Sequence, residues 1–155
     1  MNLTRTLFLC AIAPALLMLF VAGPADAARD DVPTPKEYGA YAKTEGGLKR
    51  ILPNMVYDEK SVYFLESNSP QSFPLNSVQY FIIYGKYQMQ YLTLNNMKPF
   101  RVTPFGKVGF MFGLEVEIDV KKKSDTLYTV KPKGLFGRGY YSLWIEDTAW
   151  DFRID

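Results

Sequence analysis

Alternation of apolar and polar residues runs through residues 37–155, and it constrains the fold of this chain more than any other feature. Successive side chains of a β-strand point to opposite faces, so a period of two is typical of strands with one face on a core. Segment 114–121, LEVEIDVK, alternates most clearly, and four of its residues are predicted to face the core: Leu114, Val116, Ile118 and Val120. Turn residues at short intervals predict one all-β domain over residues 37–155, an antiparallel β-sandwich or alternatively a β-barrel, with about nine or ten strands.

Several strands and turns can be placed along this domain. Gly46 and Gly47 predict a hairpin turn, because glycine adopts the positive φ angles that a tight turn needs. Segment 78–84, VQYFIIY, is apolar at nearly every position and predicts a central strand covered on both faces. A two-residue turn at Gly85 is then predicted to lead into a returning strand over residues 87–94. The last predicted hairpin pairs residues 139–145 with residues 149–155, while the order of the strands is left open by the pattern.

The first 27 residues have the three parts of a cleavable export signal. Arg5 is the positive charge, residues 7–22 form a continuous apolar run, and Ala25 and Ala27 offer the small residues that a signal peptidase requires. The run contains Pro14 and is shorter than the roughly 20 residues that span a bilayer as a helix, which favours cleavage over retention as an anchor. The sequence therefore predicts a periplasmic or secreted protein. Residues 28–36, which are polar and contain two prolines, are predicted to form a flexible arm.

Composition excludes several kinds of chemistry. The chain has no histidine, and its single cysteine, Cys10, lies in the predicted signal. A Ser-His-Asp triad is therefore excluded, and the usual ligands of zinc and copper are missing, so we expect no catalytic residues, no metal site and no cofactor. A net charge of +2 argues against a nucleic-acid surface. No second long apolar run follows the signal, and the chain is therefore not expected to be an integral membrane protein.

Carboxylates offer one alternative to a purely binding role. Glu115, Glu117 and Asp119 alternate along one predicted strand, and two such groups at the right separation could hydrolyse a glycosidic bond. A solvated strand face explains them more simply, because catalytic carboxylates normally lie in a cleft.

Aromatic residues are the remaining candidates for a binding site. Tyr87 and Tyr91 are predicted to share one face of a strand, and Tyr140 and Trp144 share a face of the last hairpin. Such side chains stack on sugars and are enriched at protein interfaces. The face that contains Tyr140, Ser142 and Trp144 is the best candidate for an exposed patch.

The end of the chain carries a recognisable pattern of residues. Residues 131–145, KPKGLFGRGYYSLWI, are followed by residues 150–155, WDFRID. This segment resembles the end of a loose group of exported bacterial β-sandwich proteins that close with a Gly-x-Tyr hairpin strand and an aromatic-x-Phe-x-x-Asp terminus. Arg138-Gly139-Tyr140 stands where that group often has Pro-Gly-Glu-Tyr. The group has no established activity, so the resemblance implies a fold and a compartment and transfers no catalytic residue.

Together these features predict an exported, non-catalytic binding or adaptor protein of the bacterial cell envelope. Its expected partner is another envelope protein, held through a sheet edge or an aromatic patch. Two alternatives stay open: a carbohydrate-binding module that recognises polysaccharide through exposed tyrosine and tryptophan, and a glycoside-active enzyme that uses carboxylates.

Overall fold

A computed structural model describes residues 31–67, 69–102 and 107–155. The predicted signal of residues 1–27, with Cys10, lies outside the described residues, as do the start of the predicted arm, Asn68 and residues 103–106. Within the described ranges no helix is both long and apolar enough to cross a bilayer.

The described residues are nearly all β-structure, with one 3₁₀ turn at Met89–Tyr91. The all-β prediction is confirmed. In chain order the strands are β1 (Gly39–Thr44), β2 (Gly47–Ile51), β3 (Pro53–Met55), β4 (Tyr57–Glu59), β5 (Val62–Ser67), β6 (Gln71–Phe73), β7 (Val78–Tyr84), β8 (Thr93–Val102), β9 (Val108–Glu115), β10 (Ile118–Lys122), β11 (Leu127–Pro132), β12 (Gly139–Ile145) and β13 (Thr148–Ile154). The three-residue strands β3, β4 and β6 are too short to show alternation, and they raise the number above the nine or ten expected.

These strands form two sheets. The five-stranded sheet has the order β10-β11-β7-β1-β2, and the eight-stranded sheet has the order β3-β13-β12-β8-β9-β5-β4, with β6 also paired to β13. Neighbouring strands are antiparallel except for β6 and β13, which run parallel. β7 lies in the centre of its sheet, and Phe81, Ile82 and Ile83 are fully buried, so the strand is covered on both faces as predicted.

The eight-stranded sheet curls until it nearly closes on itself. Its first strand, β3, and its last strand, β4, are consecutive in the chain and are separated by Val56 alone. The backbone N–H of Val56 donates to the carbonyl of Asp147 at 2.9 Å, next to the pairing of β3 with β13. The fold thus combines the predicted sandwich with a barrel-like sheet.

Around β12 the eight-stranded sheet is buried on both faces. Alternate residues of β12, such as Leu143, pack against the five-stranded sheet in a core that includes Phe81, Trp150 and Phe152. Residues on the opposite, concave face line a smaller core inside the curl, which consists of Leu65, Met97, Phe110 and Ala149. Both faces of β12 therefore pack against other residues, and its predicted aromatic residues, Tyr140 and Trp144, lie on the face of the smaller core.

The predicted strand over residues 87–94 is wrong. β7 pairs with β1 and β11 and does not pair with the segment that follows it, because the chain crosses at this point from one sheet to the other. Gly85 marks the crossing with a φ of 151° and donates its N–H to the carbonyl of Thr126 at 2.8 Å. The 3₁₀ turn completes the crossing, and β8 begins only at Thr93.

The single strand predicted over residues 114–121 is also wrong. β9 ends at Glu115 in the eight-stranded sheet, and β10 begins at Ile118 in the five-stranded sheet. Leu114 is consequently 75% exposed and Val120 is also exposed, although both were expected in the core. Since the alternation continues through a change of sheet, it no longer marks one common face.

Candidate functional site

Tyr140 and Trp144 point into the concave side of the curled sheet. The ring of Tyr140 lies 4.7 Å from that of Phe110, and the guanidinium of Arg153 lies 5.7 Å above it. The indole of Trp144 lies 4.4 Å from the ring of Phe112. Both side chains are half-buried and Ser142 between them is fully buried, so this face is not the open patch that the sequence predicts.

Tyr87 and Tyr91 lie apart from this face and do not share a strand. The ring of Tyr87 packs edge-on against Trp150 at 5.5 Å, on the opposite side of the eight-stranded sheet from Trp144. Burial raises the pKa of the Tyr87 phenol above its ordinary value, and the charge of Arg50 partly opposes this rise. Tyr91 is 57% exposed in the 3₁₀ turn. The structure therefore does not bring the four predicted residues together into one surface.

A different group of aromatic side chains is clustered on the convex face of the curled sheet. The strand register places Tyr57 of β4, Phe64 of β5 and Met111 of β9 side by side. The Tyr57 and Phe64 rings are stacked at 5.5 Å, and the ring of Phe100 meets Phe64 edge-on at 5.6 Å. Tyr57 is 44% exposed and Phe100 is 39% exposed, whereas Phe64 is buried beneath them. We call Tyr57, Phe64, Phe100, Met111 and the neighbouring Val62 and Arg101 the aromatic patch.

Arg101 is held in a defined position over this patch. Its guanidinium carbon lies 4.5 Å from the centre of the Phe64 ring and 5.0 Å from that of Phe100. Two carboxylates fix the same group, Glu66 at 3.3 Å and Glu59 at 3.5 Å. Stacking and ion pairing together order a side chain that would otherwise lose much conformational freedom on binding a partner.

A surface groove adjoins the aromatic patch and extends from it to Trp144. Its volume is about 420 Å³, and its lining includes Val62, Tyr63, Met111, Phe112 and Trp144. Val62 and Met111 belong to both surfaces, and the Tyr63 ring lies 5.4 Å from Trp144. Of the four predicted aromatic residues, Trp144 is thus the one that lines the groove next to the aromatic patch.

Most ring planes of this surface are not aligned, although Tyr57 and Phe64 are stacked with 25° between their planes. Tyr63 and Trp144 are tilted by 45°, and Phe64 and Phe100 by 73°. A flat row of coplanar rings would favour stacking on sugars, whereas these rings form an uneven surface with a central arginine.

The carboxylates considered for catalysis are dispersed by the change of sheet. Glu117 lies in the link between β9 and β10 and pairs with Lys133 at 3.3 Å, while Asp119 on β10 pairs with Lys121 at 3.7 Å. Both acids are exposed, and Glu115 ends β9 opposite Asn95 in the other sheet. Among the described residues, no three Asp or Glu side chains are grouped so that they could hold a metal ion.

Neither a protein-family model, nor a curated protein, nor a solved structure is significantly similar to this chain. The resemblance of residues 131–155 to exported β-sandwich proteins therefore stays a prediction.

Proposed function

We propose that this protein is an exported, non-catalytic binding or adaptor protein of the bacterial cell envelope, and that it holds a partner protein at the aromatic patch. The observation that carries the proposal is the composition of the patch, in which exposed Tyr57 and Phe100 pack on the Phe64 ring and Arg101 lies over Phe64 and Phe100. Tyrosine, phenylalanine, methionine and arginine are enriched in protein interfaces, and tyrosine and arginine are common among the residues that dominate binding energy.

The physical basis of binding would be desolvation of rings that are already in place. Phe64 fixes the rings above it, and the carboxylates of Glu59 and Glu66 fix Arg101, so a partner would order few additional side chains. Because the ordering of interface side chains opposes association, a surface that is already ordered binds more tightly at equal area.

The edges of the five-stranded sheet favour this mode over strand addition. The edge strand β2 carries Lys49 and Arg50, and the edge strand β10 carries Lys121 and Lys122, all of them exposed. Charged side chains, lysine above all, are a common means by which edge strands avoid pairing with other chains. The aromatic patch is therefore the better supported of the two contact modes expected for an adaptor.

The test is affinity capture from envelope extract with the wild-type protein, with a Tyr57→Ser/Phe100→Ser variant, and with Tyr91→Ser as a matched control. Tyr91 is more exposed than Tyr57 and Phe100 but lies on the 3₁₀ turn. A photo-crosslinking residue placed at position 57 or at position 91 then shows which surface touches the captured protein.

We expect one envelope protein to be captured by the wild type and by the control, and to crosslink at position 57 only. The double serine variant should capture at least about tenfold less of it, since two central interface residues are lost. Equal capture by the patch variant would refute the proposal. Retention of a polysaccharide in place of a protein, lost in the patch variant, would favour the carbohydrate-binding alternative.

A further inference from the structure

We propose that the end of β11 and the loop that follows it, residues 131–138, bind the surface of a bilayer that contains anionic lipids. This segment, KPKGLFGR, carries three cations and no acidic residue, and we call it the basic loop. Leu135 in the basic loop is 90% exposed. None of the residues of the basic loop belongs to the aromatic patch, so the proposed membrane contact is separate from the proposed partner surface.

The basic loop is held in position on both sides of Leu135. Before it, the backbone N–H of Lys133 donates to the carbonyl of Glu117 at 2.9 Å. After it, the ring of Phe136 packs edge-on against Tyr141 at 4.8 Å and joins the core between the two sheets. Leu135 is therefore presented to solvent by an anchored loop, and its insertion into another phase would order few additional groups.

Leu135 belongs to a larger apolar surface. A cavity of about 140 Å³ lies beside it, and the apolar part of the cavity lining consists of Val78, Pro132, Leu135, Phe136 and Ile154. Leu75, which is also exposed, precedes Asn76 of the same lining. A single exposed leucine is ordinary on a protein surface, whereas an exposed leucine next to an apolar cavity and among cations is the combination that membrane-surface segments present.

The charge of the basic loop is available to a partner. Lys131 and Arg138 are exposed, and neither forms an ion pair within the part of the chain that the structure describes. The acids nearby already have partners: Glu117 pairs with Lys133 at 3.3 Å, Asp119 with Lys121 at 3.7 Å, and Asp155 with Arg153 at 2.6 Å. Two unpaired cations beside an apolar surface complement the negative headgroups of an anionic bilayer.

A bilayer offers anionic groups and an apolar layer side by side, which matches the arrangement of the basic loop. Leu135 would lie below the headgroups, while the lysine and arginine side chains would reach up to them with their charged ends. Burial of the leucine and attraction of the cations contribute separately, and each cation strengthens binding by a factor of about five.

The test places a genetically encoded fluorescent amino acid, whose emission shifts to the blue in an apolar environment, at position 135 or at position 52 of the full-length chain. Leu52 is the matched control, because it is 70% exposed and follows β2 at the opposite end of the five-stranded sheet. The probes are anionic vesicles of phosphatidylethanolamine with phosphatidylglycerol and neutral vesicles of phosphatidylcholine. Every variant keeps residues 1–27, so any membrane contact of the predicted signal is common to all of them.

We expect a blue shift at position 135 on the anionic vesicles, and none at position 52 or on the neutral vesicles. Lys131→Gln/Arg138→Gln should raise the lipid concentration at half-maximal shift by about tenfold or more, since two factors of about five are lost. Lys49→Gln/Lys86→Gln removes the same net charge from exposed positions elsewhere and should change that concentration by less than about twofold, because distant charges are screened. The Tyr57→Ser/Phe100→Ser variant should bind the vesicles as the wild type does.

Three results would overturn the proposal. The first is no shift at position 135, or equal shifts at positions 135 and 52. The second is an equal shift on anionic and neutral vesicles, since the cations would then play no part. The third is a photo-crosslinking residue at position 135 that captures an envelope protein while the vesicles cause no shift, which would make the basic loop a protein contact.

Discussion

Phe152 lies at the centre of the ring cluster that joins the two sheets, and its removal should weaken the sandwich strongly. The side chain is fully buried, and four aromatic rings surround it. The ring centres of Phe81, Phe136, Tyr141 and Phe73 lie 5.0, 5.8, 5.8 and 6.1 Å away, respectively. Phe152→Ala would therefore leave a cavity lined by rings from both sheets, which rigid neighbours can fill only in part.

The magnitude follows from burial. Replacing a fully buried phenylalanine with alanine costs about 3–5 kcal/mol, and the four ring contacts place Phe152 in the middle of that range or above, at about 4 kcal/mol. Phe100 in the aromatic patch is 39% exposed, so Phe100→Ala should cost about 1–2 kcal/mol. A typical domain is stable by only about 5–15 kcal/mol, so the first change is severe and the second is tolerable.

Urea denaturation followed by circular dichroism measures both effects. With a denaturant dependence of about 2 kcal/mol per molar urea, Phe152→Ala should lower the unfolding midpoint by about 2 M and Phe100→Ala by less than about 1 M. Equal shifts for the two variants would refute the assignment of Phe152 to the inter-sheet core and of Phe100 to an exposed patch. A small shift for Phe100→Ala would also show that patch variants stay folded in binding experiments.

Two other predictions concern single positions. Gly113→Ala should destabilise the protein by about 1–3 kcal/mol, because an added Cβ would collide with the side-chain oxygen of Asn96 on β8. Gly134→Ala, where the Cβ meets nothing within 4 Å, is its control in the same urea assay, and equal midpoints would contradict this reasoning. Tyr87 should ionise above the ordinary tyrosine pKa of about 10, since burial raises its pKa. The phenol therefore stays protonated to higher pH in the folded state than in the unfolded state. Its contribution to the free energy of unfolding is complete below about pH 10 and declines as pH rises through the folded pKa. The difference between the ultraviolet titrations of the wild type and Tyr87→Phe isolates this phenol, and a midpoint at or below the ordinary value would contradict the expectation.

Local features of the fold could be predicted from the sequence because their causes lie within a few residues. The β1–β2 hairpin turns at Glu45 and Gly46, as the glycines indicate, and the β12–β13 hairpin follows from two alternating segments with a short link. β7 is identifiable as a central strand since its continuous apolar run has no polar face. In each case side-chain chemistry and backbone freedom act over short distances along the chain.

The candidate surface was only partly predictable. Trp144 is recognisable as an aromatic residue on a hairpin strand, but Phe100 lies on β8, far along the chain from the β4–β5 hairpin that carries Tyr57 and Phe64. Segment 61–66 has apolar side chains on both faces of its strand, and this was the available signal that β5 has a convex aromatic face.

The sequence by itself determined that the chain folds into short strands and, for strands such as β7 and β12, which residues share a face. The tertiary structure alone decided which sheet each strand joins, as at Gly85 and at the link between Glu115 and Ile118. It also decided that the face of Tyr140 and Trp144 is concave and half-buried while that of Tyr57 and Phe100 is convex and exposed. The physical reason is that alternation records two faces, whereas burial of each face depends on long-range pairing and on the curl of the whole sheet.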